Sequence, residues 1–221
     1  MDFATLLNVL FMGALSLIIW RSYLGRTYAA SQIYHTFWPR FLASFPDSAV
    51  IGLINTVVGI LLALPVTQFV NVDEQPVLLG TVAVLAICIQ IIIPFLYTIM
   101  MHARSGQTVG KMLTGVRVVD AMTGNPITTK QAWLRDGLPL VLWGLAMVYF
   151  TVNLALESSD LQALKTGNML DGLMVFLSLS MIWWILEILT MFSNPKRRAL
   201  HDYIAGTVVI RMHIRDDSSE Q

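Results

Sequence analysis

Residues 41–64 read FLASFPDSAVIGLINTVVGILLAL, and they settle the class of the chain. A helix needs about 20 apolar residues to cross the ~30 Å hydrocarbon core of a bilayer. This segment supplies them with a single charge, Asp47. At about 100° per residue, Asp47 shares a face with Ser44, Ser48, Gly52, Asn55 and Gly59, while Val50, Leu53, Val57 and Leu61 project to the other side. A small and polar stripe of that kind faces protein or water, and the aliphatic side suits lipid.

Four further stretches on either side have the same character: Phe3–Trp20, Val77–Met101, Leu138–Leu156 and Leu170–Phe192. The whole chain agrees with them. Of its 221 residues 56% are hydrophobic and 13% charged, with a mean hydropathy of +0.66, whereas an ordinary soluble domain carries about 25% charged residues. The expected fold is therefore an all-α polytopic membrane protein with about five transmembrane helices. The first stretch has no basic residues ahead of it and is followed by Arg21 and Arg26, so it reads as a retained anchor rather than a cleaved signal. The single cysteine, Cys88, excludes an intramolecular disulfide, a Cys-rich zinc site and a CxxC redox motif.

Net charge is zero, from 14 cationic and 14 acidic residues, so nothing points to nucleic acid as a partner. Position is more informative than the sum. Residues 21–40 hold Arg21, Arg26 and Arg40; residues 102–137 hold Arg104, Lys111, Arg117, Lys130 and Arg135; the tail after Phe192 holds Lys196, Arg197, Arg198, Arg211 and Arg215. Lys165 alone falls elsewhere. The positive-inside rule then predicts an extracytoplasmic N-terminus and a cytoplasmic C-terminus, with Trp20, Trp38 and Trp133 at the cytoplasmic edges.

The long polar loop, Ser105–Ile127, changes character along its length. Gln107–Leu113 suits a short interfacial helix, Val116–Asp120 is β-branched, and Thr123-Gly124-Asn125-Pro126 is turn chemistry. A second β-rich run, Thr207–Ile210, lies on the same side and is placed to pair with the first. Gly106–Lys111 spells G-x-x-x-G-K but is one residue short of a phosphate-binding loop, and Met112 stands where Ser or Thr would hold the metal. An interfacial turn beside lipid headgroups is the plainer reading.

A charge inside a span costs roughly 2.5–3.5 kcal/mol on insertion scales, which makes Asp47 the leading candidate for function. Two roles suit it: a carboxylate that exchanges a proton or cation, or a buried carboxylate held by an arginine or by backbone groups that locks helix packing. Arg40 lies about 10 Å along the axis and about 20° round from it, too far for an easy pair, so Arg135 and Arg198 are the expected partners. Arg40 by itself reads as a snorkelling anchor. Pro46 is expected to loosen the helix beside Asp47. Glu187 reads as snorkelling, Gln90 and Pro94 as flanking a cavity or, more commonly, making a packing kink, and His35, His102, His201 and His213 as interfacial or solvated. There is no H-E-x-x-H, no G-x-S-x-G and no cysteine beside a histidine, so neither an enzyme nor a metal or other cofactor is expected.

Three segments together, WPRFLASFPD (38–47), GQTVGKMLTGVRVVD (106–120) and KRRALHDYIAGTVVI (196–210), resemble the RDD family of bacterial membrane proteins, named for one arginine and two aspartates. The resemblance covers Phe37–Ile210 and implies that Arg40, Asp47 and Asp202 are the naming residues. It also implies an accompanying signature at Gly110, Lys111 and the Ala205-Gly206-Thr207 turn. Pro46 departs from the aliphatic residue usual there. The domain division that follows is an N-terminal anchor and linker at 1–36, the RDD-like membrane domain at 37–212, and a polar tail at 213–221.

Membrane transport is the activity usually suggested for the family, with ion/proton antiport claimed for some members. The expectation is a small transporter or transport accessory subunit of the cell membrane, with Asp47 exchanging a proton or monovalent cation while Arg40 or Arg135 tunes it; Asp202 and Asn55 complete the candidate polar set. Few spans for a complete carrier favour a homo-oligomer or a membrane-protein partner within the lipid bilayer. The alternative is a non-catalytic scaffold or assembly module that uses its cytoplasmic loop and tail.

Overall fold

The computed structural model describes residues 3–69, 76–139, 141, 144–145 and 168–214. Long helices dominate: α1 (Phe3–Tyr23), α2 (Phe37–Phe69), α3 (Pro76–Ser105) and α6 (Asn168–Phe192). Two short helices, α4 (Val109–Leu113) and α7 (Leu200–Ala205), and a helix α5, described over residues 129–139, lie with the strands β1 (Val116–Asp120) and β2 (Thr207–Arg211).

Among the described residues, Phe37–Leu64 and Cys88–Ser105 are long and apolar enough to cross a membrane, and Leu10–Tyr23 and Leu177–Phe192 form shorter apolar helices. Their surfaces have the composition of lipid-facing walls: Leu53, Leu61, Ile182 and Leu189 are all more than half exposed. The expected span Leu138–Leu156 falls largely outside the described residues, as does the loop after it.

α2 and α3 pack along each other. The Asn55 side chain donates to the Gln90 carbonyl at 3.4 Å, and Gly59 leaves room for the Gln90 side chain. The expected polar stripe is thus buried only in part, since Ser44 and Ser48 stay exposed and Ser44 bonds back to the Phe41 carbonyl. The helix does not break at Pro46, which is buried within a continuous α2.

At the end of α2 and α3 where the cations gather, the loop and the tail close into a cap. β1 and β2 pair antiparallel, with Val118 opposite Val209 and Asp120 opposite Thr207. The turn expected at Thr123–Pro126 is present, with Gly124 at φ +71 and Pro126 bridging back to Val119. The strand that completes the sheet nevertheless comes from the far end of the sequence. Val116, Val118 and Val209 pack with Ile99 of α3, Ile127 and Ala132 of α5 into the core of the cap. The sheet is stitched to the end of α3 by the Arg117 side chain on the Ser105 carbonyl at 2.9 Å and by Gln107 on the Val116 carbonyl at 2.8 Å. Gly106 (φ +68) must be glycine, because a Cβ there would meet the Val118 carbonyl oxygen.

Candidate functional site

Three hydrogen-bonded clusters occupy this cap. The first is built on Asp202, which is fully buried. Arg40, from the start of α2, and Arg135, from α5, each donate to a different oxygen of its carboxylate. The same carboxylate accepts from the Ala199 backbone N–H at 3.0 Å and from the Thr207 hydroxyl at 3.2 Å. Asp202 stands in the first turn of α7, so it caps the helix and neutralises two arginines at once. Burial alone would raise this carboxyl, but Arg135, Arg40 and His201 hold it well below the usual carboxylate range. Arg40 also donates to the Arg197 carbonyl, and Arg198 to the carbonyls of Thr207 and Asp202. Gly206, at φ +66, ends α7 in the left-handed conformation that glycine adopts without cost and turns the chain into β2.

The second cluster is built on Asp47. Its carboxylate accepts from the Tyr97 hydroxyl of α3 at 2.8 Å, the Thr108 hydroxyl at 2.6 Å and the Gly110 backbone N–H at 2.8 Å. Thr108 is in turn the N-cap of α4, and the Val109 N–H donates to the Tyr97 hydroxyl at 3.0 Å. Asp47 therefore ties α2, α3 and the start of α4 together through neutral donors. This corrects the expectation of an arginine partner: Arg135 and Arg198 both serve Asp202 and its helix instead. Gly110 makes the approach possible, because a Cβ there would run into the Ala43 carbonyl and come within 2.9 Å of an Asp47 carboxylate oxygen.

The third cluster joins the signature residue Lys111 to two residues that the sequence does not single out for a site, His102 and Asp136. His102, at the end of α3, is buried rather than solvated, 3% exposed. Its Nδ1 lies 2.5 Å from Asp136 and its Nε2 2.5 Å from Lys111 Nζ. With Lys111 as an ammonium, Nε2 must accept, so the ring is neutral and Nδ1–H donates to Asp136. Burial, with Arg135 and Arg40 adding repulsion, lowers Lys111 to about 7 against the pull of Asp136 and Asp47. For Asp136 burial acts upward, but His102, Arg135 and Lys111 bring it to about 2. The sequence offers two signals for it: Lys111 in the signature implied by the resemblance, and the adjacency of Arg135 and Asp136, where Arg135 lies 3.6 Å from Asp136 while reaching Asp202.

Glu187 is also engaged: it accepts from His201 at 2.7 Å, which joins α6 to α7. His35 and His213 are exposed, as expected. No group of acidic, histidine and cysteine side chains suited to a metal occurs among the described residues.

A set of apolar helices closed at one end by a cap of loop and tail segments defines a membrane protein with a polar lock. The RDD family profile matches residues 34–206, and the chain belongs to that family. No curated protein and no solved structure matches it. Of the three residues expected to carry the family name, Arg40 and Asp202 form one ion pair, while Asp47 belongs to a separate cluster.

Proposed function

We propose that this RDD-family protein is a small proton-linked transporter, or a subunit of one, and that Lys111, His102 and Asp136 are its exchanging group. The observation that carries the reading is a lysine hydrogen-bonded to a buried histidine that is bonded in turn to a carboxylate, all at the end of a membrane-type helix. Titratable groups placed so are functional candidates by default, and a lysine lowered to about 7 changes charge within the physiological range. When the ammonium loses its proton, Asp136 is left with one fewer neighbouring cation, which is the condition for a monovalent cation to take that place.

The exchange is assigned away from Asp47, whose oxygens already hold three donors. The distribution of cations supports a cytoplasmic cap, and the small number of spans favours a homo-oligomer or a membrane-protein partner. No enzymatic step is assigned. A scaffold or assembly module is the second reading, favoured by the way Asp47 and Asp202 are both spent on closing the cap.

Flux in reconstituted vesicles, beside folded yield in detergent, separates the two. Lys111→Met is expected to insert and fold but to lose cation flux driven by a pH step. Wild-type vesicles with no flux above empty ones, across the common monovalent cations, would overturn transport and leave the scaffold.

A further inference from the structure

A cavity of about 320 Å³ is lined by none of the residues of the three clusters, and is within the size range of small-ligand sites. It opens between the end of α1, with the chain that follows it, and the end of α4. Its lining divides in two. Trp20, Leu24, Met112 and Leu113 make an apolar side, and Arg26, Thr27 and His213 a polar one, with Tyr23 between them.

Among the described residues, no carboxylate lines this space. Arg26 makes no ion pair with any described residue; its guanidinium rests 5.5 Å from the centre of the Tyr23 ring. A second cation stands close by: Arg211 lies over Tyr28 at 3.9 Å, acts electrostatically on Tyr23, and keeps Nη1 buried without a hydrogen-bond partner. His213 is held at φ +59, a backbone region uncommon for any residue but glycine, while its carbonyl accepts from Tyr28 at 3.1 Å. The described lining thus combines positive charge, hydroxyl and imidazole donors, and an apolar wall continuous with the apolar helix α1, where Trp20 and the following Leu24 are exposed.

We propose that this cavity binds the phosphate and glycerol of an anionic phospholipid headgroup. Arg26, Thr27 and His213 take the phosphate, and Leu24, Met112 and Leu113 receive the glycerol and the start of the acyl chains. A phosphate ester supplies the missing negative charge. The apolar side distinguishes a lipid from a free anion, because inorganic phosphate would leave it wet. Basic pockets at helix ends are a recurrent form of headgroup recognition.

The test uses the full chain in detergent, titrated with short-chain phosphatidylglycerol, short-chain phosphatidylcholine and glycerol 3-phosphate, with adducts read by native mass spectrometry. The anionic lipid is expected to bind about tenfold more tightly than the zwitterionic one, and Arg26→Gln to remove most of that preference; a tenfold change is the size of one charge-assisted contact. Arg26 is exposed, so the variant keeps its fold, and Arg21→Gln, outside the lining, is expected to retain the preference. Equal affinity for both lipids, or an unchanged preference in Arg26→Gln, would overturn the site. Glycerol 3-phosphate binding as tightly as the lipid would make it a soluble-phosphate site and overturn the lipid assignment.

Discussion

Asp202 and Asp47 are two buried or half-buried carboxylates in one cap, and they are stabilised by opposite means. Asp202 sits between two guanidinium groups, and its surroundings compensate its charge with charge. Asp47 meets two hydroxyls and a backbone N–H, and its surroundings satisfy its lone pairs without a partner of opposite sign. The first arrangement joins segments far apart in sequence, 162 residues from Arg40 to Asp202. The second fastens the nearest loop to the helices that flank it. A buried ion pair is costly to break because the surviving charge has nowhere to go, whereas neutral hydrogen bonds fail one at a time.

The largest expected effect follows from that asymmetry. Asp202→Asn leaves Arg40 and Arg135 facing each other without a counter-charge, a loss of about 3–5 kcal/mol. Asp47→Asn keeps the shape and strands one or two donors, a loss of about 1–3 kcal/mol. Chemical denaturation in detergent reads both. The acid dependence sharpens the contrast: a carboxyl held well below its ordinary 3.8 contributes stability that is complete above that pH and is lost as pH falls through the folded value. The gap between wild type and Asp202→Asn is therefore expected to be full at neutral pH and to narrow below about pH 4. Equal losses for the two variants, or a gap that does not narrow, would erase the distinction.

Next in size is Gly110→Ala. The added methyl has no flexible neighbour to displace, only the Ala43 carbonyl of α2 and the carboxylate it is meant to approach. α4 must move off α2, and the Asp47 contacts go with it, a loss on the order of 3 kcal/mol. The expectation is increased protease cleavage in residues 106–115, with the β1–β2 pairing retained. Melting of the whole cap in step with α4 would mean the two regions form one cooperative unit.

Much of this architecture was legible in the sequence. An uninterrupted apolar run has few ways to fold, so α2 and α3 were plain, and the β-branched runs at 116–120 and 207–210 announced strands whose pairing the structure bears out. The partners of Asp47 were not legible. Cations near Asp47 are conspicuous in the sequence, whereas the roles of Thr108 and of the signature residue Gly110 lie in a cap geometry that exists only once α4 is folded against α2. His102 was misjudged for a related reason. A histidine at a helix end is usually wet, and here the loop returns through Lys111 and α5 through Asp136 to bury it. Glu187 reads as snorkelling from sequence because its partner His201 belongs to α7, a short helix that the cap positions.

The smallest effect tests whether the two carboxylates are independent. Thr108→Ala removes the N-cap of α4 and one of the three donors to Asp47, a loss of about 1–2 kcal/mol. Arg40→Lys weakens the other site, since an ammonium cannot serve both Asp202 and the Arg197 carbonyl as the guanidinium fork does. The two sites share no hydrogen-bond partner, so the double variant is expected to lose the sum of the single losses to within about 0.5 kcal/mol. Tyr97→Phe provides the opposite control. It removes a second donor to Asp47 and the acceptor of the Val109 N–H, and combined with Thr108→Ala it should depart from additivity because both act on one carboxylate and one helix start. Coupling between Thr108 and Arg40 as large as that between Thr108 and Tyr97 would show that the charge on Asp202 is felt at Asp47, with Lys111, which senses both Arg40 and Asp47, as the group that carries it.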